Sequence, residues 1–194
     1  LPIENSSAGA VSDNYDLLVK HDVYIVAETE LPVSHALLGL PEASLEDIRT
    51  VYSHPQALMQ SSRYLNSHRD WKQISTVNTA VAAKKVAEEK NISQAAVASP
   101  AAGELYGLKA LETSINHNKN NVTRFIILSR IPVYKKGSSK VSICFEGAHR
   151  SGSLYNMLGN LIYNDINMLM IESRPIPGRS WEYRFFVDAQ GSLS

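Results

Sequence analysis

Four short stretches combine small hydrogen-bonding side chains with what reads as the start of a helix. They are Asn5-Ser6-Ser7, Ser53-His54-Pro55-Gln56 and Asn78-Thr79, with Ser99-Pro100 as a weaker fourth. Each puts hydroxyls or amides between the carboxyl end of an expected strand and an expected helix N-terminus. In open α/β sheets ligands bind at that place, where unpaired helix N–H groups and the helix dipole favour anions. A small carboxylate ligand suits this wiring. The competing reading of any one stretch is simple N-capping, because Ser, Thr and Asn satisfy the first-turn N–H groups of helices. Only the repetition favours a ligand.

Other chemistries find less support. The six histidines, His21, His35, His54, His68, His117 and His149, show no HExxH or similar helical spacing, so no metal site is expected. The neighbours Ser34-His35 and Ser53-His54 leave a Ser-His-acid triad open, but no G-x-S-x-G elbow accompanies them. No G-x-G-x-x-G turn or P-loop is present. Asn5, Asn91 and Asn121 each begin an N-x-S/T pattern, discounted because no signal peptide precedes them. What remains is a set of polar side chains with no strong catalyst among them. Such a set suits a substrate already primed to fragment.

The elements that must hold these residues alternate in type. Val23–Glu30, Thr50–His54 and Ala95–Ser99 read as strands, and Pro55–Leu65 as a helix with Pro in its first turn. Asn78 or Thr79 caps an Ala-, Lys- and Glu-rich helix reaching Lys90, and Ser99 caps a further helix with Pro100 at its first position. The alternation implies a mostly parallel sheet with helices on its faces. After a polar loop at 115–122, Thr123–Arg130 is an apolar strand. Residues 132–139 gather Pro, Gly, Ser and Lys as a linker does, which divides the chain into segments 1–131 and 140–194. The second segment reads strand, helix, strand, strand, with Leu154, Leu158, Leu161 and Ile162 on one side of its helix and Tyr183, Phe185 and Val187 on one face of its last strand. This is the beginning of a split βαβ unit.

Composition narrows the partners. Of 194 residues 44% are hydrophobic, as in a packed globular protein, and nineteen basic side chains balance nineteen acidic ones. No overall field attracts nucleic acid or a membrane surface. The single Cys144 suits a reducing compartment, so the expected location is cytoplasmic. No apolar run approaches the ~20 residues of a membrane span. The chain opens on Leu1 without Met, the expectation being a processed or cloned piece.

Taken in order, "LPIENSSAG", "YDLL", "SHPQALMQ", "ASPAAGELYGL", "NVTRFIIL" and "ESRP" resemble the prephenate dehydratase family, whose members often form part of a bifunctional chorismate mutase-prephenate dehydratase. The resemblance covers nearly the whole chain. It implies an α/β architecture: a two-lobed, type II periplasmic-binding-protein-like catalytic domain lacking its N-terminal part, then a ferredoxin-like βαββαβ ACT domain lacking its closing helix and strand. It also implies conversion of prephenate to phenylpyruvate with loss of water and carbon dioxide in phenylalanine biosynthesis, without a metal or other cofactor. Arogenate dehydratase and a non-catalytic amino-acid-binding module of the same fold are the alternatives.

Carried over residue by residue, the resemblance makes Thr123 the group nearest the chemistry, donating to the leaving hydroxyl. A lone threonine is a weak acid, so donation belongs to a preorganised network. Asn5 and Gln60 stand for the family's substrate-binding amides, with Ser6, Asn78 and Thr79 beside them. Arg124 is either a counter-charge for a substrate carboxylate or a salt bridge that stiffens its strand. In the ACT segment Gly152, Ser153 and Leu154 would receive the carboxylate of L-phenylalanine at a helix start, and Glu172, Ser173 and Arg174 would lie across a subunit interface. For Glu172 and Arg174 a strand-end ion pair competes with that role. Ser151 and Ser153 replace residues more usual in the family. The implied assembly is a homodimer or homotetramer through ACT domains.

Overall fold

The computed structural model describes residues 1–192, so the last two positions of the 140–194 segment lie outside the described residues. In chain order the elements are β1 (Pro2–Asn5), β2 (Gly9–Ala10), α1 (Ser12–Lys20), β3 (Tyr24–Pro32), β4 (Ala36–Gly39), β5 (Thr50–Ser53), α2 (Pro55–Gln60), α3 (Ser62–Leu65), β6 (Lys72–Ser75) and α4 (Thr79–Glu89). They continue with β7 (Gln94–Ala98), α5 (Pro100–Tyr106), β8 (Lys109–Glu112), β9 (Val122–Ser129), β10 (Lys140–Glu146), α6 (Ser153–Tyr163), β11 (Met168–Pro175) and β12 (Tyr183–Gln190). Pro32–Val122 forms one unit, and Leu1–Leu31 with the residues from Thr123 onward forms the other.

The Pro32–Val122 unit is a five-stranded sheet in the order β6-β5-β7-β4-β8. β5 runs parallel to β6 and β7, whereas β4 is antiparallel to both β7 and β8. β4 thus runs against its four companions, the antiparallel strand of a mostly parallel sheet. Its link to β5, residues 40–49, contains no helix, so no βαβ crossover holds the two in one direction. Helices cover both faces, and the central strands are accordingly apolar on both sides. Leu37, Val51, Ala95 and Val97 meet Ala57, Leu58, Leu65 and Trp71 on one face. Leu38, Tyr52, Ala96 and Ala98 meet Ala82, Ala83, Val86 and Leu108 on the other, where small residues let α4 lie close. Burying each such Leu or Val stabilises the unit by about 1.5–3 kcal/mol. The single helix expected over Pro55–Leu65 is broken at Ser61, whose backbone leaves helical geometry at φ −108°, ψ 5°.

The other unit holds two sheets. The first has the order β2-β1-β9-β3, with β1 antiparallel to β2 and β9, so the parallel expectation does not extend to it. The second is the antiparallel sheet β10-β12-β11. One face of β12 carries Tyr183, Phe185 and Val187, as alternation predicts. Leu154 and Met157 of α6 meet Tyr183 and Phe185 there, around a cavity of about 140 Å³. Phe186 on the opposite face packs on Tyr15 of α1, ring centroids 4.9 Å apart, within a cluster that includes Ile3 and Ile126. Burial pushes the Tyr15 hydroxyl up to about 12. The predicted apolar side of α6 is corrected at Ile162, which is 69% exposed near the helix end.

Candidate functional site

Antiparallel pairing of β1 with β9 sets Asn5 opposite Thr123 and Glu4 opposite Arg124. Opposed side chains share a sheet face, and successive ones alternate between faces. Asn5 Nδ2–H donates to Thr123 Oγ1 at 2.9 Å. Asn5 Oδ1 in turn accepts the backbone N–H groups of Ser7 and Ala8, at 3.0 and 2.9 Å. Two main-chain donors therefore fix which end of the amide is oxygen, and the NH₂ end must face Thr123. Since Thr123 Oγ1 accepts from Asn5, its own proton is left for donation. The Asn5-Ser6-Ser7 stretch is corrected in one respect: it forms the turn between β1 and β2 instead of a helix N-terminus. Asn5 Oδ1 captures the following N–H groups and reverses the chain. Ser6 is exposed on that turn.

Arg124 lies on the other face of β9, its side chain only 13% exposed among three protein carboxylates. It reaches Asp188 Oδ2 at 2.7 Å, Glu4 Oε2 at 3.0 Å and Glu28 Oε2 at 3.1 Å. Burial opposes its charge, but the hydrogen bonds that it donates to Asp188, Glu28 and Glu4 outweigh that and raise its pKa. Ser142 Oγ–H donates to the other oxygen of Asp188 at 2.6 Å. This is the salt-bridge arrangement of Arg124, with the guanidinium engaged by the protein itself; the counter-charge reading is corrected accordingly.

In the Pro32–Val122 unit three of the anticipated helix starts exist, and their polar groups serve the helices. His54 caps α2, its Nδ1 accepting from Gln56 N–H at 3.2 Å. Asn78, not Thr79, caps α4 by accepting from Val81 N–H at 2.7 Å, and Ser99 caps α5 through Ala102 N–H at 3.2 Å. Asn78 Oδ1 thus serves as the cap, while Thr79 opens the helix as its first residue. Ser53 is fully buried and donates to Val97 O at 2.6 Å, which ties two strands together.

Gln60 closes α2 amid a buried polar group that sequence reasoning overlooked. Its Oε1 meets His35 Nε2 at 3.0 Å and Asn121 Nδ2 at 3.4 Å. His35, Asn116 and Asn121 are 7%, 5% and 1% exposed. Asn116 Oδ1 accepts from the His35 backbone N–H at 3.1 Å, fixing the main chain just before β4. Burial lowers the His35 pKa against the opposing hydrogen bond to Gln60, which favours the neutral ring. Burial of Asn121 also removes it as a glycan acceptor. The only signal in the sequence was the polar run "NHNKNN", which reads as an ordinary loop.

The residues anticipated for an effector divide between the faces of the C-terminal sheet. Gly152 adopts a left-handed conformation (φ 77°) before α6, and Ser153 and Leu154 line the small cavity by Phe185. Ser173 pairs with Phe185, but Glu172 pairs with Phe186 and so faces α1, as does Arg174. There Ser12 Oγ–H donates to Glu172 at 3.2 Å, and Arg174 bonds both oxygens of Asp16, at 3.1 and 2.6 Å. Within one chain these six residues do not form one site; Glu172 and Arg174 instead hold α1.

Among the described residues no cluster of three or more His, Cys, Asp or Glu side chains is placed to hold a metal ion, and no helix is long and apolar enough to cross a membrane. The class is thus an α/β protein whose candidate groups are neutral hydroxyls and amides, carried by a larger N-terminal framework and a smaller C-terminal sheet. Residues 1–132 match the prephenate dehydratase family. The bifunctional chorismate mutase/prephenate dehydratase of Enterobacter agglomerans is 40% identical over 195 residues, across the whole of this chain and 50% of that protein. The chain therefore spans about half the length of this relative.

Among solved structures, prephenate dehydratase from Arthrobacter aurescens in complex with L-Phe superposes with a TM-score of 0.88 at 28% identity, over 98% of this chain and 64% of that one. GqqA, described as a novel type of quorum quenching acylase, gives a TM-score of 0.88 at 34% identity, over 99% of this chain and 70% of that one. The chain belongs to the prephenate dehydratase family. Its α/β fold is related to the known structures of that family, with the smaller C-terminal sheet consistent with an ACT-like domain.

Proposed function

We propose that the protein containing this chain converts prephenate to phenylpyruvate in phenylalanine biosynthesis. The observation that carries the reading is the oriented Asn5–Thr123 pair at 2.9 Å. The ring carboxylate departs as carbon dioxide, and the electron pair of its C–C bond enters the ring. The C–O bond breaks while Thr123 O–H hydrogen-bonds the departing hydroxyl, which leaves as water with a proton passed through Thr123 and replaced from solvent, so that Thr123 ends the step protonated. Aromatisation drives the fragmentation, so orientation and hydrogen bonding are the protein's main tasks. Gln60 supplies an amide donor to a substrate carboxylate. Acyl transfer of the GqqA kind would need a base to activate its nucleophile. Thr123 has an amide donor beside it at 2.9 Å, and a donor cannot take its proton.

The finer architecture belongs to the same proposal: a two-lobed, periplasmic-binding-protein-like catalytic domain over 1–131, a linker over 132–139, and a ferredoxin-like ACT domain from 140. L-Phenylalanine is its effector and ACT pairing its route to a homo-oligomer, with the L-Phe complex of the Arthrobacter aurescens protein as support. The deciding experiment replaces Thr123 by Ala in the full-length gene product and follows phenylpyruvate formation. A loss of activity of about 100-fold or more is expected; undiminished turnover would overturn the assignment of Thr123, whereas a parent protein that forms no phenylpyruvate would favour the amino-acid-binding module. Parallel assays with prephenate and arogenate separate the two dehydratases, and exclusive use of arogenate would replace the substrate named here.

A further inference from the structure

Two donors converge on one oxygen of Gln60, and one of them leaves a buried atom without a partner. His35 Nε2 and Asn121 Nδ2 both lie within hydrogen-bond reach of Gln60 Oε1, at 3.0 and 3.4 Å. His35 Nδ1 has no hydrogen-bond partner, although the residue is 93% buried. A neutral ring carries one proton, on either nitrogen. With the proton on Nε2 the orphan at Nδ1 is a lone pair; with the proton on Nδ1 it is a buried N–H, the costlier of the two to leave unmade. The proton therefore sits on Nε2, and His35 donates to Gln60.

Asn121 donates to the same oxygen, so rotating the Gln60 amide by 180° would oppose N–H to N–H at both contacts. The Gln60 NH₂ is thereby turned away from both, and the residue is only partly buried. No acceptor among the described residues takes those protons. Gln60 main-chain O meanwhile accepts from His117 N–H at 3.0 Å, so the residue is held at its backbone as well as its tip.

We propose that His35 is a positioning residue: it holds the Gln60 carbonyl so that the Gln60 amide N–H groups are presented to a carboxylate of the substrate. This rests on the dehydratase reading and on Gln60 as a substrate-binding amide. His35 itself touches no substrate. The orphaned Nδ1 lone pair is the cost of placing a donor at Nε2, and a hydrophobic side chain of the same volume would avoid it. Its presence is explained by the orientation it imposes.

The test is steady-state kinetics of prephenate turnover by the full-length protein. His35→Leu keeps the volume and removes the donor; about a tenfold rise in KM is expected, the size of one hydrogen bond to a charged group, with kcat within about twofold. His35→Gln, whose amide reaches to the Nε2 position, should restore KM. His35→Asn is polar but too short to reach, and it should raise KM as His35→Leu does if the latter fails to fold. Adding His35→Leu to Gln60→Ala should change KM no further. The inference is overturned if His35→Leu leaves KM unaltered, if His35→Gln is as impaired as His35→Leu, or if the His35 effect persists in the Gln60→Ala background. A Gln60→Ala protein with wild-type KM would strike the Gln60 assignment itself, whereas a parent protein that does not turn over prephenate would strike the dehydratase reading.

Discussion

Asp188 is the carboxylate on which the interior of the two-sheet unit most depends, and Asp188→Ala measures that dependence. Its side chain is 6% exposed and accepts hydrogen bonds from Arg124 at 2.7 Å and Ser142 at 2.6 Å. Removing one member of a buried ion pair costs about 3–5 kcal/mol, because the other charge stays behind without compensation. Arg124 retains Glu4 and Glu28, which places the expected loss near the lower end, about 3 kcal/mol. For a chain of this size that is a fall in Tm of about 6–12 °C. Asp188→Asn keeps an acceptor for Ser142 and should lose about 1–2 kcal/mol.

The informative variant is the double replacement Arg124→Met with Asp188→Leu. Both charges then disappear, and stability should return to within about 1 kcal/mol of the parent. Glu4 and Glu28 are 43% and 38% exposed, so water serves them when the guanidinium is gone. Urea unfolding at pH 7, with m compared across the set, gives all four free energies. A cost below about 1 kcal/mol for Asp188→Ala, or a double variant no more stable than Asp188→Ala, would refute the reasoning.

Two further outcomes are expected. Asn78→Ala removes the side-chain cap of α4 and should cost about 1 kcal/mol, with Asn78→Asp nearly neutral, both read from urea midpoints. Arg174 hydrogen-bonds Asp16 and holds its carboxyl below the ordinary carboxylate range, so this pair contributes stability above the unfolded-state pKa of about 3.9 and loses it as pH falls through the lower folded-state value. Asp16 is 48% exposed, so the contribution is that of a surface pair, about 0.2–1 kcal/mol; Arg174→Leu should remove it from the difference between urea midpoints at pH 6 and pH 2.

Strands and capped helices were legible wherever a local rule governs them. Asn78 and Ser99 cap as their positions imply, and Tyr183, Phe185 and Val187 share a face because a strand alternates. The direction of β4 was not legible, since no helix joins it to β5 and only pairing decides which way it runs. The Asn5–Thr123 pair had no local signal either; the family resemblance pointed to both residues, but the hydrogen bond between them is a matter of register. The same resemblance left the role of Arg124 undecided. Its three carboxylates come from β1, β3 and β12, and no pattern of spacing foretells such a meeting. His35 and Asn121 stayed invisible because buried polar residues look like loop residues until their neighbours are known.

Synthesis proceeds in one direction, which gives the pairing of β1 with β9 a consequence in time. Asn5 and Thr123 stand 118 residues apart. At ribosomal rates of about 5–20 residues/s, roughly 6–24 s separate their emergence. Every strand of the five-stranded sheet is translated within that interval. A nascent chain therefore possesses a complete set of partners for that sheet while β1 still waits for β9. The hydroxyl on which the proposed chemistry turns is acquired only after the bulk of the scaffold has been made.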